Sequence, residues 1–269
     1  MQRTNNRAVA LFVILVLTSM VALCLPFLLT RTEVPAWLLL IGRWMPALVS
    51  LLVLKLAVRR GTLVAWWRLR PGGWRRLLIG YAAAVAVTSA VAVIVFGIGR
   101  LLGLIATAPE LPGLLVTAAT VLVTAALLSL STLGEEVAWR AFLPQLLPGL
   151  GFWAKASSIG LFWMLWHVPL HASYVLAGVM PLSIAIVSTL TLLAVAPLWQ
   201  ALADRFGSVW PAVFAHAVPL TPLVLADLGA ASVPGLVGYG LIWAVVSILA
   251  TELLRTGRSH FLPQEEVHR

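Results

Sequence analysis

Long apolar runs, most of them free of Asp, Glu, Lys and Arg, constrain this 269-residue chain more than any other feature in it. They fall at about 8–30, 36–58, 77–98, 111–133, 156–178, 181–203, 209–226 and 233–254. A bilayer core of about 30 Å takes roughly 20 helical residues to cross, and apolar runs of that length read as transmembrane helices. The expected fold is therefore all-α: a polytopic membrane helical bundle of about eight transmembrane helices. Composition agrees. Only 10% of residues are charged and 61% are hydrophobic, whereas a soluble domain carries about a quarter charged residues.

Arg3 and Arg7 precede the first run, as basic residues precede a signal peptide. The run is longer than the roughly 7–15 residues of a signal h-region, so it reads as a retained span. The basic residues then set the topology. Arg59, Arg60, Arg68, Arg70, Arg75, Arg76, Lys155, Arg205, Arg255 and Arg258 all fall on the side of the N-terminus. Positive-inside bias places both termini in the cytoplasm of a multi-pass cell-membrane protein. The same loops hold most of the net charge of +9. The partner this implies is the anionic lipid of the bilayer surface, not nucleic acid. In the stretch AWWRLRPGGWRRLL, Trp66, Trp67 and Trp74 alternate with arginines and read as an interfacial lipid anchor. Cys24 is the sole cysteine, so no disulfide can form within the chain. Residues 1–254 read as one transmembrane domain, and residues 255–269, with His260 and His268, as a polar cytoplasmic tail.

Function is then sought among polar groups inside the spans, because burying an ionised side chain at a helix centre costs about 2.5–3.5 kcal/mol on insertion scales. The candidates are Arg43, Glu135, Glu136, Arg140, His167, His171 and His216. Counting about 1.5 Å per residue along each helix, Glu135, His167 and His216 all fall in the cytoplasmic half of the bilayer. Glu136 and Arg140 stand four apart with the acid first, the favourable order for a helical ion pair. Glu135, about 100° around that helix, is left to face something else. His167 and His171 share a face, with Pro169 between them, and His216 lies in a helix that begins near a Trp–Pro pair. Arg43 reads as snorkelling or capping carbonyls and is assigned no function.

One glutamate and two histidines from three helices suit two chemistries. Glu135 can act as general base on water with an imidazole assisting and the other histidine donating to an oxyanion. Alternatively Glu135, His167 and His216 can hold a divalent metal such as zinc that activates the water. Both hydrolyse an acyl bond. Two readings without hydrolysis stand beside them. One is an interfacial charge cluster ending the fourth span. The other is a transporter's proton relay, against which the lack of inverted repeats counts.

The ordered motifs resemble a known family. EEVAWR matches EExxxR, WMLWH resembles [FW]xxxH one span later, and HAVPL sits where HxxxN is expected. This order is similar to that of the CAAX-protease and bacteriocin-processing family of intramembrane proteases, and the similarity covers residues 131–220. The resemblance implies a membrane-associated or lipidated peptide substrate, cut near the cytoplasmic face. It implies that Glu135 activates the water with His167 assisting, that His216 helps form the oxyanion hole, and that Glu136 and Arg140 support the site. His171 reads either as a further polar wall of the cavity or as an interhelical hydrogen-bond partner. One departure is Leu220, which stands where the third motif usually has Asn and cannot donate a hydrogen bond. Loss of an oxyanion donor costs about 10²–10³ in rate. A catalytically silent relative, acting as regulatory or bacteriocin-immunity partner of another membrane protein, is the alternative that Leu220 favours.

Overall fold

A computed structural model describes residues 2–59, 61–104, 114–218 and 232–256. The helices are α1 (Gln2–Thr30), α2 (Ala36–Gly42), α3 (Met45–Val53), α4 (Leu63–Trp66), α5 (Trp74–Leu101), α6 (Leu114–Glu136), α7 (Leu143–Leu146), α8 (Phe152–Leu176), α9 (Leu182–Phe206), α10 (Trp210–Ala217) and α11 (Val233–Thr256). Two π-helical segments, Leu54–Val58 and Val137–Phe142, continue α3 and α6. Among the described residues there is no strand.

Six segments among the described residues are long and apolar enough to cross a membrane: Asn5–Thr30, Ala36–Val58, Trp74–Leu101, Phe152–Leu176, Leu182–Phe206 and Val233–Thr256. Their outward side chains are apolar too, with Leu29, Leu101, Leu190, Leu241 and Leu253 exposed where a water-soluble fold would carry charge. Of the other two expected spans, the fourth corresponds to α6, and residues 111–113 of that run lie outside the described residues. The seventh corresponds to α10, which is described only to Ala217. The residue before a proline is driven out of the helical region. Val218, which precedes Pro219, accordingly adopts φ −66° and ψ 117°. Pro219, Leu220 and Thr221 lie outside the described residues, as do Asp227, His260 and His268. The last helix runs to Thr256, two residues past the expected boundary at 254.

α9 packs against both α8 and α11, α1 against α3 and α8, and α10 against α5, α6 and α9. Trp139, Trp163 and Trp166 fill the middle of this bundle and are almost wholly buried. Phe12 meets Trp139 edge-on at 5.5 Å between ring centroids, the arrangement favoured by the ring quadrupoles.

Two irregularities set the positions of the polar side chains. The second span breaks at Arg43 and Trp44, between α2 and α3. Pro46 has no N–H to return to the carbonyl four residues back, which separates the two helices. The third-motif helix is also tied down at its start. Arg68 pairs with Asp204 at 2.7 Å, and its carbonyl accepts from the Val209 amide at 3.1 Å and from Ser208 Oγ at 3.2 Å. Trp210 Nε1 donates to the Leu69 carbonyl at 2.8 Å. Part of the basic loop between α3 and α5 is thus tied to the bundle. Trp66 is buried, and Trp67 Nε1 donates to Ser50 Oγ at 3.0 Å, which leaves only Trp74 of that trio exposed. The aromatic–arginine alternation gave no sign of this, because the ring partners lie on distant helices.

Candidate active site

The site begins where α6 becomes π-helical. The wider turn starts at Val137, directly after the two adjacent glutamates, and ends before Pro144. Pro144 cannot donate to the carbonyl of Arg140. That oxygen is approached instead by Gln200 Nε2 at 3.5 Å, while Gln145 Nε2 donates to the Ala141 carbonyl at 2.8 Å. π-helical turns inside α-helices are frequent at functional sites.

Glu136 is wholly buried and held from two sides. Arg140 Nε stands 3.1 Å from its Oε2, and His216 Nδ1 stands 2.8 Å from its Oε1. Arg140 is equally buried, and its Nη1 and Nη2 have no hydrogen-bond partner among the described residues. Its guanidinium lies over the faces of Trp163, at 5.0 Å, and Trp199, at 5.8 Å. The quadrupoles of those rings attract the charge.

Glu135 is 1% exposed and is held by other groups. Its Oε1 lies 3.3 Å from Arg43 Nε, and its Oε2 accepts from Trp163 Nε1 at 2.9 Å. The carboxylate is therefore held by an ion pair at one oxygen and a hydrogen bond at the other, from two other parts of the chain. Arg43, assigned no function from sequence, is thus part of this cluster. Nothing local in the sequence could have paired it with Glu135, since 92 positions separate the two numbers.

The histidine tautomers follow from their partners. His167 Nδ1 lies 2.9 Å from the Trp163 carbonyl, which can only accept, so Nδ1 carries the proton and the Nε2 lone pair is free in the neutral ring. His171 Nδ1 lies 2.6 Å from Thr189 Oγ1, whose own proton goes to the Ala185 carbonyl at 2.6 Å. His171 Nδ1 is therefore also a donor. His216 stacks on Trp199 with centroids 4.5 Å apart, and its Nε2 stands 4.0 Å from Glu135 Oε1.

A cavity of about 300 Å³ opens over these groups. Arg43, Glu135, His167, His171, Tyr174 and Thr191 give it a polar wall, against an apolar wall of residues such as Leu23, Leu39, Leu192 and Val195. Apolar pockets with a few convergent polar groups are the usual form of a small-molecule or peptide site. His216 stands next to the cavity rather than on its wall, stacked on Trp199 and with Nε2 4.0 Å from Glu135 Oε1, both of which line it. No three His, Cys, Asp or Glu side chains among the described residues form a group able to hold a metal ion. The zinc alternative, with Glu135, His167 and His216 as ligands, therefore lacks a fitting donor set. Glu135 already has a cationic neighbour on one oxygen and an indole donor on the other.

Residues 114–219 match the family described as type II CAAX prenyl endopeptidase, Rce1-like. The matched segment runs from α6 through α10 and contains Glu135, Glu136, Arg140, His167, His171 and His216. No curated protein matches the chain. The family match supports the CAAX-protease assignment drawn from the three motifs.

Proposed function

We propose, with CAAX-protease family membership as the premise, that this chain is an intramembrane endopeptidase that hydrolyses a peptide bond of a membrane-associated, lipidated substrate near the cytoplasmic face. The observation that carries this reading is the setting of Glu135. It is buried, fixed through both oxygens, and still on the wall of a cavity that also presents His167.

In the proposed reaction a water in the cavity gives its proton to Glu135 as it attacks the scissile carbonyl. The free Nε2 lone pair of His167 accepts the water's other hydrogen and fixes its direction. The carbonyl oxygen gains negative charge, and His216 is the group proposed to meet it. An ionised Glu136 accepts the proton on His216 Nδ1, so Nε2 donates to the oxyanion only when the ring carries both protons. Once Glu135 has taken the water's proton, Arg43 and Arg140 face a single ionised carboxylate, Glu136, and the surplus positive charge stabilises the oxyanion. Fixed charges and dipoles in a dry site are worth far more than in water. Glu135 then returns its proton to the leaving amine.

The test compares the termini of membrane proteins in cells carrying wild type or Glu135→Gln at equal levels. New termini formed only by wild type support the reading and report the substrate class. Identical termini sink it and favour the silent regulatory partner, for which Leu220 is the sequence observation.

A further inference from the structure

We propose that Arg43 is a positioning residue for the catalytic carboxylate, a role that rests on the reading of Glu135 as the base. Arg43 lies outside residues 114–219, on a different part of the fold from the three motifs. Three observations carry the assignment.

The first is how the arginine is presented. It occupies the break between α2 and α3, within a segment that hydropathy reads as one continuous span, Ala36–Val58. A cation at such a place is costly and finds an anionic partner. The partner here is Glu135, with Arg43 Nε at 3.3 Å from Oε1.

The second is a backbone contact that fixes the spacing. A Cβ on Gly134 would stand 2.6 Å from the carbonyl oxygen of Arg43 and 2.7 Å from Cα of Trp44. The residue before the base is thus docked directly on the backbone that carries the arginine. Only glycine allows that approach.

The third is the division of donors. Trp163 Nε1 takes Oε2, so Arg43 and Trp163 hold one oxygen each. Rotating the carboxylate breaks the indole hydrogen bond or lengthens the ion pair. Arg43 makes no other ion pair among the described residues, and its side chain is 33% exposed and lines the cavity. A guanidinium whose purpose was to join helices would share its donors among several carbonyls. Among the described residues the one charged partner of this guanidinium is the base.

The experiment uses the purified full-length chain in detergent and a quenched fluorogenic S-farnesylated peptide ending in a CAAX sequence. Wild type, Glu135→Gln, Arg43→Gln and Arg43→Lys are compared for kcat, KM and melting temperature. A misplacement of about 1 Å costs on the order of 10²-fold in rate. The expected result is a roughly 10- to 100-fold fall in kcat for Arg43→Gln with KM within about twofold, and partial recovery in Arg43→Lys, which keeps the charge but loses the planar fork. Wild-type kcat in Arg43→Gln, or a loss confined to KM, overturns the assignment. Loss of fold in both Arg43 variants makes the residue structural and also overturns it. If Glu135→Gln is dead while Arg43→Gln is unimpaired, only this inference fails. Cleavage that survives Glu135→Gln, or that wild type never performs, removes the base and the inference together.

Discussion

His216 Nδ1 lies 2.8 Å from Glu136 Oε1, while its Nε2 stands 4.0 Å from Glu135 Oε1. The two adjacent glutamates therefore differ in kind. Glu136 is closed in by Arg140 and His216, and Glu135 faces the cavity between Arg43 and Trp163. A carboxylate of the first kind is committed to its neighbours, and one of the second kind is accessible from the cavity.

Glu136→Ala is expected to cost about 3–5 kcal/mol of stability, because it leaves the buried Arg140 charge without its partner. Glu135→Gln should cost much less. Arg43 is 33% exposed on the cavity wall and can be solvated there once its partner is neutral, and a glutamine carbonyl still accepts from Trp163. Thermal unfolding in detergent separates the two. Equal melting temperatures for Glu136→Ala and wild type would mean that Arg140 finds another partner once Glu136 is gone.

His171 illustrates a different division of labour. Its ring lies 6.0 Å from that of His167, and its Nδ1 is committed to Thr189. His167→Ala is expected to lower kcat/KM by at least about 10²-fold, the lower range for a positioned acid–base group. His171→Ala should lower it by less than about tenfold, acting through the cavity wall alone. Similar losses for both would place His171 against the reacting water.

Periodicity and spacing showed the helices, the pairing of Glu136 with Arg140, and His167 and His216 on separate spans, because each rests on a regular local geometry. The rest depends on departures from regularity. The π-helical turn at Val137–Phe142 is read only when Pro144 is placed against the Arg140 carbonyl. The inward turn of Trp66 depends on Phe142, which is remote in sequence. Arg43 stayed mute because hydropathy smooths Ala36–Val58 into one span and hides the break that aims it. Even Gly134, beside the motif glutamates, looks like an ordinary helix glycine until the backbone it touches is known.

That glycine gives the sharpest test of the architecture, since two effects of opposite sign meet there. On an open helix Gly→Ala stabilises by about 1 kcal/mol. At position 134 the added carbon would lie 2.6 Å from a carbonyl oxygen and 2.7 Å from a Cα. Both are backbone atoms, so neither can swing aside as a side chain would. Overpacking of this kind costs about 1–3 kcal/mol or more and should outweigh the propensity gain. Gly134→Ala is therefore expected to lower the melting temperature and to reduce kcat by tilting Glu135 away from Arg43. A more stable and fully active Gly134→Ala protein would show that α6 has room to move off the α2–α3 break, and that the grip on Glu135 does not depend on that contact.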